Sequence, residues 1–224
     1  MRKNREIVKI LKTAIVLIVA IAFILPLLWM VTSSLKQTRE VFSPNWQWLP
    51  EEFQWKNYVM VWTDPEVSML NAFSNTAFIT AVSTVVQLIV ASLAAYAFAK
   101  IRFKGKGVVF GMFLCTMMMP TEVTIVPRFM LFKTLGLYNN HWAVILPHFF
   151  NASAIFMLRQ FYKSLPDDMM EAAKIDGASH PQIFAQIMMP LTKSALISLA
   201  MLSFISCWNE YMTPLIFLAK KNLY

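Results

Sequence analysis

Charged residues are scarce in this sequence and absent from long stretches of it. Only 14% of the 224 residues are Asp, Glu, Lys or Arg, whereas 58% are hydrophobic. A soluble domain typically has about a quarter charged residues and about half apolar ones. The few charges cluster between uncharged runs, and this distribution is typical of a protein with several membrane spans.

Several kinds of active site are also missing. Cys115 and Cys207 each lie in an apolar run, so they predict neither a disulfide framework nor a thiolate metal site. No Gly-x-x-x-x-Gly-Lys-Ser/Thr pattern, and hence no recognisable phosphate-binding loop, is present. Glu122, His141 and His148 have the spacing of no known metal site, and we interpret them as structural. Nothing resembles a catalytic triad or dyad, so we expect no catalytic, metal or cofactor site in this chain.

The net charge of +8 raises the question of nucleic-acid binding. The basic residues, however, form short clusters beside apolar runs and do not line one face or stripe. That arrangement matches the charge signals that orient membrane proteins better than a phosphate-binding surface. We therefore expect membrane lipid, and no nucleic acid, as a partner.

Five charge-poor stretches predict an all-α, polytopic transmembrane helical bundle with five visible spans. They cover residues 13–35, 73–98, 107–121, 141–158 and 194–218, the last interrupted at Asn209–Glu210 and at Pro214. The first apolar run is too long for a signal-peptide core, so we expect an uncleaved span with a kink at Pro26.

The distribution of Lys and Arg predicts the orientation of these spans. The N-terminus carries five, the turn at 100–106 carries four, and the segment 159–193 carries four more. Each cluster is two spans from the last, so we expect all three on the cytoplasmic side and 36–72 and 121–141 outside. In the outer loop 36–72, Trp46, Trp48, Trp55 and Trp62 are interpreted as headgroup anchors in preference to ligand contacts.

Residues 164–190 contain the signals of two short helices. Pro166 suits a first helical turn, and Asp167 and Asp168 favour the positive end of the helix dipole. Gly177 can adopt the left-handed conformation that ends a helix.

The second predicted helix follows directly. Ser179 and Gln182 have capping-box spacing, and the helix they start would run to about Met189 before Pro190 breaks it. A cytoplasmic helix pair in which Glu171 lies beside Ala172 and Ala173 suits docking into a partner's groove. From the residues alone, an amphipathic loop resting on the bilayer is an equally good interpretation.

The spacing of this segment resembles the EAA loop of ATP-binding-cassette (ABC) importer permeases. The resemblance is carried by Glu171-Ala172-Ala173, then Gly177, Ile187 and Met189-Pro190, where the family pattern ends in Leu-Pro. Met in place of Leu keeps an apolar side chain of similar size. We call residues 162–192 the EAA loop.

Other motifs extend the resemblance over nearly the whole chain, and they are similar to the MalG-like sugar-importer permeases. They are Phe73-x-Asn75-Thr76, Met119-Pro120-Thr121-Glu122, Gly136-Leu137, Arg159-Gln160-Phe161, Ile175-Asp176-Gly177-Ala178 and Trp208-Asn209-Glu210. Such permeases normally have six spans, so the resemblance implies one permease domain over residues 1–224 with a last span missing.

The resemblance implies a function and a set of partners. The chain would translocate a sugar or oligosaccharide across a bacterial cytoplasmic membrane, with ATP and Mg bound by a separate ATPase dimer. A second homologous permease and an extracytoplasmic solute-binding protein would complete the importer. The EAA loop would transmit force through Glu171, Ala172, Ala173, Asp176, Gly177, Ile187 and Pro190. A polyol or glycerol-phosphate solute, or a non-transport assembly role, is the alternative.

The polar sequence Trp208-Asn209-Glu210-Tyr211 interrupts the last apolar run. Ionisable groups at membrane depth are energetically unfavourable and are often functional. Our hypothesis is that these residues line the sugar pathway or its outer gate. The alternative is that Glu210 lies at the outer interface and only ends a helix.

Overall fold

All regular secondary structure in the described part of the protein is helical. The computed structural model describes residues 2–45, 47–64 and 68–220, in which every regular element is a helix and none is a strand. The all-α prediction is thereby confirmed. The α-helices are α1 (Arg2–Ser34), α2 (Thr38–Val41), α3 (Lys56–Thr63), α4 (Met69–Lys100), α5 (Lys106–Thr116), α6 (Thr121–Thr134), α7 (Trp142–His148), α8 (Ala152–Ser164), α9 (Asp168–Ile175), α10 (His180–Ile183), α11 (Met189–Leu191), α12 (Lys193–Trp208) and α13 (Met212–Phe217).

Three stretches of helix are long and apolar enough to cross a membrane. They cover Glu6–Ser34, Met69–Lys100 and Trp142–Ser164. Two bent helix pairs, Lys106–Thr116 with Thr121–Thr134 and His180–Leu191 with Lys193–Trp208, raise the number to five if each pair is one span. The five predicted apolar stretches therefore correspond to helical structure, although their boundaries differ.

The third predicted span is bent where the sequence analysis expected it to end. α5 and α6 meet at 98° across Met117–Pro120, and Pro120, which has no N–H to donate, precedes α6 with an extended backbone. Residues 121–134, predicted as part of an outer connection, are a helix. The charges of Glu122 and Arg128 favoured a loop in the sequence analysis. A helix can nevertheless contain charged residues when their side chains lie at a polar surface.

The fourth predicted span is interrupted where an unbroken run was expected. α7 ends at His148, and α8 starts after Asn151, whose side-chain oxygen accepts a hydrogen bond from the Ala154 N–H at 3.0 Å. This cap stabilises a new helix start and explains the interruption. Asn151 is thereby held at a helix break inside the second compact unit.

The last predicted span is interrupted at Asn209–Glu210 as expected, because α12 ends at Trp208 and α13 begins at Met212. The second expected interruption, at Pro214, is wrong. Pro214 is the third residue of α13, where a helix does not need its N–H.

The chain divides into two compact units, residues 1–69 and 70–224. In the first unit, α1 starts at Arg2, eleven residues before the predicted apolar run, because basic residues are good helix formers. The segment after α1 folds back on its end: the Asn57 side chain donates to the Ser34 and Lys36 carbonyls at 2.9 and 3.0 Å. Lys36 is buried and bonds to the Gln47 carbonyl. Trp46 lies outside the described residues.

The second unit has its main core between α4, α8 and the EAA loop. Its fully buried members include Ala95, Ile155, Leu158, Tyr162 and Ile183. Helix α4, predicted over 73–98, extends from Met69 to Lys100 and supplies this core with small residues. Small side chains allow close helix approach, so α4 can pack closely against the other helices of this core.

Candidate functional site: the EAA loop and a polar cavity

The EAA loop folds as the predicted helix pair. α9 ends at Ile175, and Gly177 has a φ of +82°, as its predicted role in the turn requires. The Ala178 N–H donates to the Ala173 carbonyl at 2.9 Å, and the Gly177 N–H donates to the Lys174 carbonyl at 3.0 Å. This pair of bonds is a Schellman motif, and it sets the direction in which the chain leaves α9.

The start of the second helix also follows the prediction. The Gln182 side-chain oxygen accepts hydrogen bonds from the Ser179 N–H and from the Ser179 hydroxyl, each at 2.8 Å. The predicted end is wrong, because Pro190 lies inside α11 and the bend of 79° comes after Leu191. A π-helical turn at Phe184–Met188 precedes the proline. Its wider hydrogen-bonding pattern carries the chain to Pro190 without the usual break.

Pro166 and Asp167 differ slightly from their predicted places. Pro166 precedes α9, and Asp167 is its N-cap residue but makes no side-chain cap bond. Its carboxylate instead accepts a hydrogen bond from the Lys100 ammonium at 2.5 Å. An ion pair to α4 therefore replaces the expected interaction with the helix end.

Helix α9 has one face in the core and one face open. Met170 is 4% exposed, and Ala173 packs partly buried against the main core. On the opposite face Glu171 and Ala172 are exposed, and Ile175 is 86% exposed. Of these predicted coupling residues, the structure thus separates Ala173, which anchors the helix, from Glu171 and Ala172, which face outward.

The remaining predicted coupling residues flank this face. Asp176 and Gly177 are exposed at the end of α9, and a β-carbon built on Gly177 would meet no atom within 4 Å. Ile187 is partly buried against the main core, and Pro190 is exposed. The glycine is therefore required by its backbone conformation and not by crowding within this chain.

The end of α4 holds the start of the EAA loop. The Lys100 side chain is 4% exposed and donates to the Leu165 carbonyl at 2.6 Å as well as to Asp167. Its hydrogen bond and charge lower the pKa of the Asp167 carboxyl below the ordinary 3.8. The stabilisation is therefore fully present above about pH 3.8 and is lost as the pH falls through the lowered pKa.

A second contact joins α4 to the second half of the loop. The Tyr96 hydroxyl and His180 Nδ1 are 3.0 Å apart, and the Tyr96 ring lies 5.3 Å from the Phe184 ring. Sequence reasoning missed Tyr96, Lys100 and Met170. The available signal was weak: a lysine and a tyrosine four residues apart at the end of an otherwise apolar helix.

A polar cavity of about 450 Å³ lies in the second unit, where three helix breaks meet. Its walls come from α6, from the connection between α7 and α8, and from the α12–α13 junction. The side chains that line the cavity include Glu122, Arg128, His148, Phe150, Asn151, Ser206 and Glu210. A neighbouring cavity of about 670 Å³ shares Glu210 and is lined mainly by apolar atoms.

The four predicted pathway residues lie in different environments. Glu210 lines both cavities, and Tyr211, 69% exposed, lines the neighbouring one. Trp208 packs against the Phe73 and Phe204 rings, at 5.3 and 5.5 Å between centroids. The Asn209 side chain donates to the Ile205 carbonyl at 2.8 Å, and neither Trp208 nor Asn209 lines these two cavities.

Glu210 also stabilises the start of α13. Its Oε1 atom accepts the Thr213 N–H at 3.1 Å and the Thr213 hydroxyl at 2.8 Å. Glu210 therefore caps the start of α13, which differs from the helix-ending role that the sequence offered as an alternative, and it lines the cavity as well. His148, interpreted from the sequence as structural, lines the cavity, and its Nδ1 atom lies 3.4 Å from the Cys207 sulfur.

Arg128, Phe150 and Asn151 are among the cavity residues that sequence reasoning missed. The Arg128 guanidinium lies 5.5 Å above the Phe217 ring, and its buried Nε has no hydrogen-bond partner in the described part of the chain. A charged residue in a predicted outer connection gave no indication of this position. The positively charged Arg128 is separated from Glu210 by more than eighty residues, and only the helix breaks bring them to one cavity.

The chain is similar to known transport proteins over its whole length. Residues 87–223 match the family described as "Binding-protein-dependent transport system inner membrane component". An sn-glycerol-3-phosphate transport system permease of Pectobacterium atrosepticum is 32% identical and aligns over 100% of this chain and 81% of its own length. An arabinooligosaccharides transport system permease of Halalkalibacterium halodurans is 31% identical and aligns over 100% of this chain and 80% of its own length.

A solved structure has the same fold. It is a bacterial ABC transporter involved in the import of the acidic polysaccharide alginate, and the matching chain is 27% identical with a TM-score of 0.87. The match covers 100% of this chain and 78% of that one. The match to the family model over more than half of the residues, together with these relatives, shows the family. The chain is a membrane protein and belongs to the binding-protein-dependent inner-membrane components, the permease subunits of ABC importers.

Proposed function

We propose that this permease carries a sugar or oligosaccharide across a cytoplasmic membrane and is driven by a separate ATPase dimer that binds its EAA loop. In this arrangement ATP and Mg²⁺ bind to the ATPase, and this chain has no ATPase site of its own. A second homologous permease completes the pathway, and an extracytoplasmic solute-binding protein delivers the sugar. The N-terminus and the EAA loop lie on the cytoplasmic side.

The open face of α9 is the observation that carries this proposal. Glu171 has no ion-pair partner among the described residues, and one turn away Ile175 is 86% exposed. A carboxylate and a large apolar side chain, separated by small residues, suit a groove with an apolar floor and a basic residue at its rim. The opposite face, anchored by Met170 and Lys100, would transmit movement of that groove to α4.

The substrate assignment rests on the relatives and on the polar cavity. One relative is named for arabinooligosaccharides, and the structural match is a polysaccharide importer. A relative named for sn-glycerol-3-phosphate supports the second candidate, a phosphorylated polyol. In both cases Glu210 and Tyr211 would contact the solute, whereas Asn209 and Trp208 would support the α12–α13 junction around them.

Co-purification of the complete importer tests the docking proposal. We expect Glu171→Ala to reduce recovery of the ATPase with the permease by about tenfold, the effect of losing one charge-assisted contact worth about 1.5–3 kcal/mol. Glu52→Ala, which removes an exposed carboxylate from the other compact unit, is the matched control and should leave recovery unchanged. Unchanged recovery and unchanged ATPase coupling in the Glu171 variant would reject the docking role.

A further inference from the structure

Three side chains in the polar cavity are each held by a contact within the chain and each have a polar atom that remains available to a ligand. Glu210 uses Oε1 for both bonds to Thr213, and its Oε2 has no partner among the described residues. Asn151 uses its side-chain oxygen to cap α8, which leaves its amide group without a partner within the same residues. The Arg128 guanidinium lies over the face of the Phe217 ring, and its buried Nε has no hydrogen-bond partner among the described residues. The cavity thus offers a fixed acceptor, a fixed amide and a fixed guanidinium.

An aromatic ring completes this set. Phe150, in the break between α7 and α8, lines the cavity and is 70% exposed. An exposed phenylalanine beside convergent polar groups is the usual composition of a small-molecule site, and a volume of about 450 Å³ falls within the range of such sites. The apolar C–H face of a sugar ring can stack on such a surface while its hydroxyls reach the polar groups.

The charges in the cavity discriminate between classes of solute. Glu122 and Glu210 contribute two carboxylates, whereas Arg128 contributes the one permanent cation. A carboxylated or phosphorylated solute would meet more negative than positive charge, which is unfavourable in a partly buried site. Hydroxyl groups can both donate to the carboxylates and accept from the guanidinium, so an uncharged solute satisfies all three.

We propose that the polar cavity is a subsite for an uncharged, hydroxyl-rich solute unit such as one sugar ring. Phe150 stacks on the ring, and Arg128, Asn151 and Glu210 bond to its hydroxyls. The inference rests on the proposed transport function and narrows it, because it excludes acidic sugars and phosphorylated polyols at this position.

Thiol reagents of opposite charge test the sign of the electrostatic potential in the cavity. A single cysteine is introduced by Ser206→Cys, on the cavity wall, in a complete importer that carries Cys115→Ser and Cys207→Ser. The rate at which this cysteine is modified is measured with two reagents, the cationic 2-(trimethylammonium)ethyl methanethiosulfonate and the anionic 2-sulfonatoethyl methanethiosulfonate. Each rate is divided by the rate at which the same reagent modifies free β-mercaptoethanol. We expect about a tenfold preference for the cationic reagent, the effect of one excess charge at short range in a partly buried site.

Two comparisons make this result decisive. Lys133→Cys, at an exposed position of α6 that does not line the cavity, should show no comparable preference. Glu122→Gln with Glu210→Gln, which keeps an acceptor for Thr213, should abolish the preference at Ser206→Cys. Preference for the anionic reagent, or a cationic preference that survives both substitutions, overturns the proposal.

Uptake by cells that express the complete importer tests the solute class. The probes are radiolabelled maltotriose and xylotriose on one side and trigalacturonate and sn-glycerol 3-phosphate on the other. We expect accumulation from the uncharged pair, reduced about tenfold by Arg128→Gln through loss of a charged hydrogen bond and unchanged by Lys133→Gln. Accumulation from the charged pair only, or no effect of Arg128→Gln, contradicts the subsite. Accumulation of none of the four contradicts the proposed sugar transport instead, while the labelling rates still report the charge of the cavity.

Discussion

The EAA loop and the polar cavity are built in opposite ways. The loop is one continuous segment whose turn, caps and open face come from neighbouring residues, such as Gly177 with Ala178 and Ser179 with Gln182. The cavity draws on residues between 121 and 213, and each wall lies at or beside a helix break. The EAA loop packs on the main core with α4 and α8, whereas the cavity residue Ile125 packs against a separate core cluster that includes Phe132 and Phe217.

This difference has consequences for how each site can work. A continuous segment can dock as a unit and needs only to be held firmly from behind, which Met170, Lys100 and Tyr96 do. A cavity made at helix breaks changes shape whenever the helices shift relative to one another. We therefore expect substitutions in the loop to uncouple the ATPase and substitutions in the cavity to alter solute handling with the ATPase still bound.

Gly177→Pro should have the largest effect on the loop side of this comparison. Proline requires a φ near −65°, whereas Gly177 has +82°, and the substitution also removes the N–H that donates to Lys174. The expected penalty of about 3 kcal/mol or more corresponds to at least about a hundredfold loss of ATPase association. Co-purification and solute-stimulated ATPase activity of the whole importer measure it.

Gly136 provides a matched control for this glycine. It ends α6 with a φ of +71° and the same Schellman bond, from the Leu137 N–H to the Phe132 carbonyl at 2.8 Å. Gly177→Ala and Gly136→Ala should each destabilise the left-handed turn by about 1–2 kcal/mol, because both β-carbons enter open space. Only the change at Gly177 should weaken ATPase association; equal loss at both positions would point to general misfolding.

Glu210→Ala should have the next largest effect, on the cavity side. It removes the acceptor for Thr213 and the carboxylate in both cavities, so we expect uptake to fall about tenfold, equivalent to about 1.4 kcal/mol. ATPase recovery on co-purification should remain unchanged. Glu210→Gln keeps the bonds to Thr213 and separates the two roles: full recovery of uptake would assign Glu210 to helix capping alone. Unchanged uptake and coupling in the Ala variant would reject the pathway role.

Tyr96→Phe should have the smallest effect, and it tests the contact between α4 and the EAA loop. The change removes the hydroxyl contact with His180 and leaves the ring packed, for a loss of about 0.5–1.5 kcal/mol. We expect a few-fold lower transport per ATP hydrolysed, with ATPase association retained. Tyr162→Phe is the control, since it removes another buried tyrosine hydroxyl, one that lies 3.9 Å from the Met189 sulfur. Equal effects from both variants would argue against a specific role of the Tyr96–His180 contact.

Features of the EAA loop that depend on residues close together in the sequence were predicted, and features that depend on a wider context were missed. The Gly177 turn and the Gln182 cap were predicted because each depends on residues at most five positions apart. The continuation of the helix through Pro190 was missed, because the π-helical turn that permits it is not encoded in any local preference. The division of the 141–158 run into two helices was missed as well, although Asn151 is a good N-cap residue. An apolar run long enough to span a membrane predicts one unbroken helix, and a single polar side chain does not change that prediction.

The candidate cavity shows the same limit. Glu210 was identified because an ionisable group inside an apolar run is conspicuous. Arg128 and Phe150 carried no comparable signal, and Trp208 and Asn209, predicted beside Glu210, turned to packing and backbone contacts. Neighbours along a chain at a helix end point in different directions, so sequence proximity did not imply a shared surface.

By itself the sequence determined the class of protein, its apolar helical stretches and the local geometry of the EAA loop. Hydrophobic runs, charge clusters and capping preferences act over one or a few helical turns, and they need no knowledge of distant residues. Only the tertiary structure decided which face of α9 is free, how α4 holds it, and which residues share the polar cavity. Those features depend on contacts between residues far apart in the chain, and the packing of the helices alone determines such contacts.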